Sequence, residues 1–276
     1  SSMTAFMDYR TSVATGACVN YDFSSSGEAG IDSHILSTWT GGFSIIRALN
    51  GTVVVNGEYT SMGTGTGFKA NFVWGGVYSD IAVSGFSTNL SFIDCVNFSI
   101  DKVFTTKCNI GLYMSKNTYS PAIATSITNM TASQCKSWGV KSINGSFEID
   151  KSGVIDCGYM GTTSGGILYQ ATALEFLIKG IDATNVHFQN NAGTADLSID
   201  IPNGTSLNNA TNIRSCSFYR TSSDIYTEHN IAVSAIGLTI MNLNVQGCGF
   251  ASGGTYVPDI GRKYIDLSGT IENINP

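Results

Sequence analysis

Four acidic residues near the end of the sequence have a spacing that could support acid–base chemistry. Asp196 and Asp200 lie in the segment DLSIDI, where alternation is expected to turn Leu197 and Ile199 inward and the two acids outward. Asp224 and Glu228 lie in DIYTEH. The step from Asp196 to Asp224 is the same as the step from Asp200 to Glu228. If the two segments are neighbouring strands in register, each pair of carboxylates stacks at about 4.8 Å. The pattern then predicts two acids directly above two acids.

Paired carboxylates are the groups that hydrolyse glycosidic bonds. Separations of about 5–5.5 Å suit a retaining mechanism, and separations of about 6.5–9.5 Å suit an inverting one. We predict Glu228 as the acid and Asp200 as its partner, with Asp196 and Asp224 as further catalytic candidates. The alternative is a solvated polar face without catalysis, because water screens most of the repulsion between exposed carboxylates.

Four other side chains in this region are candidates for binding the substrate. Tyr219, Arg220, Tyr226 and His229 lie close to the acids in the sequence. Aromatic rings can stack on the apolar faces of sugars. In a β-elimination, Arg220, His229 or Tyr226 would instead be the base, and the acids would hold a cation. Hydrolysis is the favoured chemistry; no metal site and no cofactor is predicted, because no His–Cys cluster has ligand spacing.

A second acidic surface is predicted in the segment GSFEIDK. There Phe147 and Ile149 are expected to point inward, which turns Glu148 and Asp150 outward. Four acids that are scattered singly along the chain are interpreted as turn formers: Asp94, Asp156, Glu175 and Asp182.

The cysteines recur in a frame that indicates a repeat. Cysteine or valine stands two positions before an aromatic residue at four places, with a nearly constant step of about 30 residues: Cys157, Val186, Cys216 and Cys248. Cys108 and Cys135 extend the series toward the N-terminus at somewhat shorter steps, and Cys135 fits less well because its aromatic residue, Trp138, comes three positions later. Seven cysteines cannot all pair in disulfides. Small apolar residues stacked at one inward position therefore explain the frame better than catalytic thiols do.

Between these positions the apolar residues alternate with a period of two, in segments such as GTVVVNGEY, SDIAVSGF and GLTIMNLNV. After residue 50, no long segment of the sequence has apolar residues at the spacing of an amphipathic helix. Short strands with one coil for about every 25–30 residues are typical of a parallel β-solenoid. The rival fold is an antiparallel sandwich, which requires hairpin turns at spacings of about 8–12 residues.

The composition of the 276 residues narrows the classes of partner. Hydrophobic residues make up 42% and charged residues only 12%, and the net charge is −6. Lys and Arg form no patch, so nucleic acid is not an expected partner. Apolar runs long enough to span a membrane are absent from the sequence, so membrane insertion is not expected. No signal peptide opens it, so secretion by a standard signal is not expected.

The segments VNYDFSSSGEAGIDSHIL (19–36) and GTVVVNGEYT (51–60) carry a family resemblance. Their order and spacing resemble the opening of the pectate-lyase-like family of right-handed parallel β-helices, which includes phage tailspikes. The matching residues are Asp22-Phe23, Gly27-Glu28, Asp32, Ile35, Gly51-Thr52-Val53 and Gly57-Glu58-Tyr59. The departures from the family pattern are Ser24, Ser33 and Asn56.

The resemblance implies an all-β fold, a right-handed parallel β-helix over 51–276, preceded by an N-terminal segment and cap over 1–50. The cap is expected to contain a short helix, broken at Gly41-Gly42 and capped by Asp32 or Ser33. Its apolar face would consist of Ile35, Leu36, Trp39, Phe43, Ile46 and Leu49.

The resemblance also implies a function. A tailspike-like protein recognises and endo-cleaves a bacterial surface polysaccharide, such as a capsule, an exopolysaccharide or an O-antigen. It is a homotrimer in the virion tail and acts outside the cell. Two alternatives stay open on the same fold. One is a non-catalytic receptor-binding or adhesin solenoid. The other is a cellular pectate-lyase-type enzyme that acts on an acidic glycan. It would need a calcium site and a basic groove, and the 14 Lys and Arg residues do not favour the groove.

Overall fold

A computed structural model describes a large part of the chain, and all of its secondary structure is β-strand. Helices are absent from this described part. The described residues are 20–22, 44–47, 53–56, 66–71, 74–116, 125–161, 163–171, 180–202, 211–220, 227–241, 243–252 and 263–272.

The strands follow one another along the chain as short segments, three of which run on through a bend. They are β1 (Asn20–Asp22), β2 (Ser44–Arg47), β3 (Val53–Asn56), β4 (Thr66–Asn71), β5 (Trp74–Ser84), β6 (Thr88–Ile93), β7 (Val96–Ser115), β8 (Thr125–Thr128), β9 (Thr131–Ile143), β10 (Phe147–Asp150), β11 (Gly153–Ile155), β12 (Gly165–Gln170), β13 (Ile181–Thr184), β14 (His187–Gln189), β15 (Gly193–Pro202), β16 (Thr211–Arg214), β17 (Ser217–Arg220), β18 (Thr227–Met241), β19 (Leu243–Gln246), β20 (Gly249–Ser252) and β21 (Lys263–Glu272).

All pairings between the described strands are parallel, and they fall into three ladders. The first ladder joins β2, the start of β5, the start of β7, β8, β10, β13, β16 and β19. The second joins β1, β3, the end of β5, the middle of β7, the start of β9, β11, β14, β17 and β20. The third joins β4, β6, the ends of β7 and β9, β12, β15, β18 and β21. The antiparallel sandwich is therefore excluded for these strands.

The pairing register shows that the repeats have unequal lengths. Ser79 pairs with Asp101, and Asp101 pairs with Thr128. Further along the chain, Asp150 pairs with Thr184. The first of these three steps is the shortest, and the last is the longest. The chain passes through the three ladders in the same order in every repeat, and the repeats differ in the length of their connecting segments.

The core consists of inward side chains that stack on their equivalents in the next repeat. Alternation along each strand turns every second residue inward. In the third ladder this position is apolar in successive strands: Leu90, Leu112, Val140, Ile167, Leu197 and Ile231, each at most 1% exposed. In the second ladder the rings of Phe188 and Phe218 stack with their centroids 4.8 Å apart. The predicted period of two is confirmed at these positions.

Sharp bends join the first ladder to the second. A single non-glycine residue with positive φ forms this bend in successive repeats: Asp80, Lys102, Asn129, Lys151, Asn185 and Ser215. Positive φ is strained for residues with a Cβ, and Asn and Asp tolerate it best. Because each bend needs only one residue with positive φ, the turns leave little trace in the sequence.

The cysteine frame is confirmed for three of its four positions. Phe188 pairs with Phe218, and the register continues into β20, so Val186, Cys216 and Cys248 occupy equivalent positions in successive repeats. Val186 and Cys216 are each 1% exposed. They are small core residues, as the frame predicted.

The prediction for the fourth position, Cys157, is wrong. His187 pairs with Gly153, so Ser152 takes the place that was predicted for Cys157. Cys157 lies at the following bend, and Tyr159 after it is 48% exposed and does not stack in the core. The step from Cys157 to Val186 matched the frame by coincidence, because segments of different length connect the repeats.

Cys157 instead belongs to a second column of thiols. The sulfur atoms of Cys108 and Cys135 lie 3.4 Å apart, and the Cys157 thiol is close enough to Cys135 to raise its pKa. All three cysteines are fully buried. The hydrogen bond with Cys108 and burial raise the pKa of Cys135, so this column is an inert part of the core.

Little of the predicted N-terminal cap falls within the described residues. Ile46 lies in β2 and pairs with Tyr78, so it belongs to a strand and not to the predicted helix. Strands β1 and β2 already pair with β3 and β5. The division at residue 50 stays a prediction. The other expected cap residues lie outside the described residues: Asp32, Ser33, Ile35, Leu36, Trp39, Gly41, Gly42, Phe43 and Leu49.

Candidate functional site

The outer face of the first ladder carries a group of carboxylates, which we term the acidic face: Asp101, Glu148, Asp150 and Asp182. In β10, Phe147 and Ile149 are each 1% exposed. The alternate residues therefore project outward, as the sequence predicted for Glu148 and Asp150. The short strands of this ladder place the carboxylates on one surface.

Two acids of this face lie on adjacent strands. Glu148 pairs in register with Asp182, so their backbones are about 4.8 Å apart. The guanidinium of Arg214, one strand further, lies 3.2 Å from the Asp182 carboxylate. This cation offsets the repulsion between the two acids, although the exposure of the pair limits the strength of both interactions. Asp182 was predicted to form a turn, and its position within strand β13 corrects that prediction.

The other two acids accept hydrogen bonds from the bends. Asp150 accepts one from the Asn185 amide at 2.9 Å. Asp101 accepts hydrogen bonds from Thr128 at 2.9 Å and from Asn129 at 2.8 Å. Burial alone would raise the pKa of Asp101, but these two hydrogen bonds and the charge of Lys102 lower the pKa overall. Asp101 is therefore held as a carboxylate by its neighbours.

The outer face of the second ladder carries a polar and aromatic group, which we term the ring patch: His187, Gln189, Ser217 and Tyr219. The rings of His187 and Tyr219 lie nearly parallel, with centroids 6.4 Å apart. His187 Nδ1 lies 2.7 Å from Ser217 Oγ, and Nε2 lies 3.2 Å from Gln189 Oε1. With Nε2 donating to Gln189, Nδ1 accepts the hydrogen bond from the Ser217 hydroxyl. These contacts fix the orientation of the imidazole.

The acidic face and the ring patch are close along the chain. Only Asn185 and Val186 separate β13, which carries Asp182, from β14, which carries His187. Asn185 forms the bend and donates to Asp150. Carboxylates therefore lie on one side of this bend, and hydrogen-bonding groups with two flat rings lie on the other. Both groups are suited to binding a polar, uncharged or weakly charged chain molecule.

The predicted stack of acids in the third ladder does not form. Asp200 pairs with Ser234 and not with Glu228. The residue opposite Asp196 is Asn230, since Ala195 pairs with His229 and Leu197 with Ile231. The separation in sequence between Asp196 and Asp224, which equals that between Asp200 and Glu228, is therefore shorter than the repeat at this point of the chain.

The core determines this register. The observed pairing places Leu197 on Ile231 and Ile199 on Val233, so apolar residues cover apolar residues. The predicted register would place Ile199 on Thr227, which would bury a hydroxyl group without a partner. Acid spacing carries no such constraint, because exposed side chains do not determine strand register.

The two predicted acids of β15 have different environments. Asp196 was expected to point outward, but it is 5% exposed. It accepts hydrogen bonds from Asn191 at 3.0 Å and from Asn230 at 2.8 Å. Asp200 is partly exposed and accepts a hydrogen bond from Gln170 at 2.9 Å. Asp196 is therefore part of a buried polar network, whereas Asp200 lies near the C-terminal end of β15 and is partly exposed.

The remaining predicted site residues are distributed over two ladders. Tyr219 lies in the ring patch of the second ladder, and His229 pairs with Ala195 in the third. Arg220 and Glu228 lie in β17 and β18, and their side chains are outside the described part of the chain. Asp224 and Tyr226 lie outside the described residues.

Four members of these two surface groups were not predicted from the sequence: Asp182, His187, Gln189 and Ser217. One available signal was the alignment of FEID (147–150) with IDAT (181–184), which have the same inward and outward alternation. That alignment brings Asp182 opposite Glu148. The cysteine frame had already brought His187 beside Ser217.

Clusters of three or more His, Cys, Asp or Glu side chains able to hold a metal ion do not occur among the described residues. The same part of the chain contains no helix of the length and hydrophobicity that crossing a membrane requires. In comparisons with known proteins, no family model, curated protein or solved structure matches this chain.

Proposed function

We propose that this protein is a right-handed parallel β-helix that recognises a bacterial surface polysaccharide. Three parallel ladders visited in a constant order support the helical winding. A connection between parallel strands is right-handed in about 98% of cases. The sequence resemblance to phage tailspikes supports the class of ligand, together with homotrimer assembly and a place in the virion tail.

The observation that carries the proposal is the ring patch beside the acidic face. Polysaccharides present hydroxyl groups and apolar ring faces in a regular repeat. A β-helix presents side chains at a regular spacing of about 4.8 Å. Tyr219 and His187 supply flat faces, and Gln189 and Ser217 supply hydrogen-bonding groups. The surface thus matches a neutral or mildly charged glycan in both chemistry and periodicity.

Endo-cleavage is a second candidate function, favoured by the pairing of Glu148 with Asp182. Carboxyl groups about 5–5.5 Å apart suit a retaining glycoside hydrolase. Glu148 would donate a proton to the glycosidic oxygen while the Asp182 carboxylate, paired with Arg214, attacks the anomeric carbon. Glu148 would then take a proton from a water molecule that attacks the same carbon, which breaks the bond to Asp182 and releases the sugar. This pair replaces Asp200 and Glu228, because the register separates those two residues.

The test is incubation of the protein with a panel of purified capsules, exopolysaccharides and O-antigens. Binding is measured by isothermal titration, and released oligosaccharides are identified by mass spectrometry. Products that carry one added water indicate hydrolysis. Unsaturated ends that absorb ultraviolet light indicate β-elimination.

The outcome of this test distinguishes the possible roles of the acidic face and the ring patch. Cleavage that is lost in Glu148→Gln and in Asp182→Asn, with binding retained, supports the hydrolase. Binding without products supports a non-catalytic adhesin, which would keep the ring patch and remove the catalytic role of the acidic face. If the protein binds none of the glycans with a dissociation constant in the millimolar range or lower, this result contradicts the whole proposal.

A further inference from the structure

Cys216 and Cys248 form a pair of neighbouring thiols in the second ladder. Ser217 pairs with Gly249, and the Gly249 amide donates a hydrogen bond of 2.9 Å to the Cys216 carbonyl. The two cysteines therefore hold the same position on successive repeats. Equivalent positions on adjacent strands lie about 4.8 Å apart, within the range of about 4.4–6.8 Å that a disulfide requires between Cα atoms.

The two thiols differ in their access to solvent. Cys216 is 1% exposed, whereas Cys248 is only partly buried against the core. Cys248 is therefore the thiol of this pair that a small molecule can reach.

The two thiols differ in acidity. The neighbouring Cys216 side chain lowers the pKa of Cys248 to about 7, against the effect of burial. The neighbouring Cys248 side chain, followed by burial, raises the pKa of Cys216, whose own thiol donates to the carbonyl oxygens of Arg214 at 3.4 Å and Ala183 at 3.6 Å. The Cys248 thiol donates to the carbonyl oxygens of Ile213 at 3.6 Å and Gln246 at 3.7 Å, and these contacts favour its protonated form. The Cys216 side chain is the larger influence, so Cys248 is the better nucleophile of the pair.

The fully buried column of cysteines provides an internal comparison. Cys108 and Cys135 pair in register on adjacent strands, and their sulfur atoms lie 3.4 Å apart. Both are fully buried. Each pair therefore occupies equivalent positions on adjacent strands, and of these two pairs only Cys216 and Cys248 include a partly exposed thiol.

We propose that Cys248 and Cys216 are a thiol–disulfide exchange site that reacts with small disulfides of the glutathione type. The Cys248 thiolate attacks one sulfur of the small disulfide and forms a mixed disulfide, which releases the first small thiol. Cys216 then loses its proton and attacks the Cys248 sulfur. The Cys216–Cys248 disulfide forms, and the second small thiol leaves. Two cysteine thiols are oxidised, and one small disulfide is reduced to two thiols.

The experiment uses the full chain, reduced and then freed of reductant, with the aromatic disulfide DTNB as the probe. Cys18 lies outside the described residues and is replaced by serine in every protein tested. We expect the Cys18→Ser protein to release about two thionitrobenzoate ions per chain and to keep no adduct. Mass spectrometry should find it two hydrogens lighter, with Cys216 and Cys248 in one cross-linked peptide.

Two variants separate the roles of the cysteines. Cys18→Ser/Cys216→Ser should release about one thionitrobenzoate ion and retain the adduct on Cys248. Cys18→Ser/Cys248→Ser should release almost none in the folded state. Denaturant should expose Cys108, Cys135 and the other buried thiols in all three proteins, which checks that those thiols are present and reduced.

Three outcomes would overturn the proposal: no release from the folded Cys18→Ser protein, a stable adduct on its Cys248, or a cross-link between other cysteines. The peptide map of the Cys18→Ser protein is sufficient to identify the cross-linked cysteines. The test therefore does not depend on whether the Cys216 variant folds. Reaction with oxidised glutathione in place of DTNB should give the same cross-linked peptide, and its failure to do so would also contradict the proposal.

Discussion

Glu148 and Asp182 lie opposite each other on adjacent parallel strands, although a whole repeat of the chain separates them in sequence. Arg214 on the next strand forms an ion pair with Asp182 at 3.2 Å. Asp182 therefore lies between an acid on one side and a cation on the other, whereas Glu148 lies on the far side of Asp182 from that cation. Different surroundings are what an acid and a nucleophile require in glycoside hydrolysis.

Substitution of either acid should abolish cleavage without abolishing binding. We expect Glu148→Gln and Asp182→Asn each to lower the rate of glycan hydrolysis by about 100-fold or more, because a positioned acid or nucleophile contributes about this much. The rate is measured from the appearance of new reducing ends. Asp101→Asn is the matched control, since Asp101 lies on the same face but pairs with Thr128 and not with another acid. Equal rates in all three variants would remove catalysis from the acidic face.

Removal of the Tyr219 ring should weaken glycan binding. We expect Tyr219→Ala to raise the dissociation constant by about 3- to 10-fold, because a stacked ring contributes about 0.5–1.5 kcal/mol. Isothermal titration with the bound glycan measures the change. Tyr113→Ala is the control, since Tyr113 is also partly exposed but lies in the third ladder. A larger loss in the control would place the glycan on the third ladder.

Close packing at the start of the third ladder makes Gly139 sensitive to substitution. A Cβ at Gly139 would lie 2.7 Å from Val154 Cγ1 and 3.0 Å from the Gly166 carbonyl. We expect Gly139→Ala to lower the free energy of unfolding by about 1–3 kcal/mol, the usual cost of overpacking. Urea denaturation followed by circular dichroism measures it. Gly249→Ala, where a Cβ would meet nothing within 4 Å, should change the stability little, and an equal loss in both would refute the packing argument.

Asp101 should contribute to stability in a pH-dependent way. Its pKa is lowered in the folded state, so its contribution is present above the unfolded pKa of about 3.9 and is lost as the pH falls through the folded pKa. We expect Asp101→Asn to be less stable than the parent protein at pH 7 by roughly 0.5 kcal/mol, a small value because the side chain is 32% exposed. The difference should vanish in strong acid. Denaturation midpoints across the pH range test this, and a difference that grows in acid would contradict the assigned pKa shift.

Oxidation of the Cys216–Cys248 pair should stabilise the fold. A disulfide between them closes a loop of about 32 residues, for which chain entropy predicts a stabilisation of about 3–4 kcal/mol. The melting temperature of the oxidised protein should exceed that of the reduced protein. The same oxidising treatment of Cys248→Ser provides the control and should leave its melting temperature unchanged. A lower melting temperature after oxidation of the parent would mean that the disulfide strains the two repeats.

The local features of this fold could be predicted from the sequence because each depends on residues close together in the chain. Alternation of apolar residues turned Leu197 and Ile199 inward, as Phe147 and Ile149 are. The frame that ends in an aromatic residue brought Cys216 and Cys248 to equivalent positions. These patterns express burial of apolar surface, which every repeat must achieve in the same way.

The partners of the acidic side chains could not be predicted in this way. Exposed acids do not determine the register, so a pairing of Asp200 with Glu228 looked as good as its actual pairing with Ser234. The connecting segments vary the length of each repeat, and only the stacking of the whole core decides which strands face each other. The sequence by itself determined that the strands repeat and that every second residue in them is apolar and points inward. It could do so because the type of each residue shows whether that position is buried. Tertiary structure alone decided that Asp182 faces Glu148 and that Ser217 faces His187, because those neighbours meet only after the repeats have stacked.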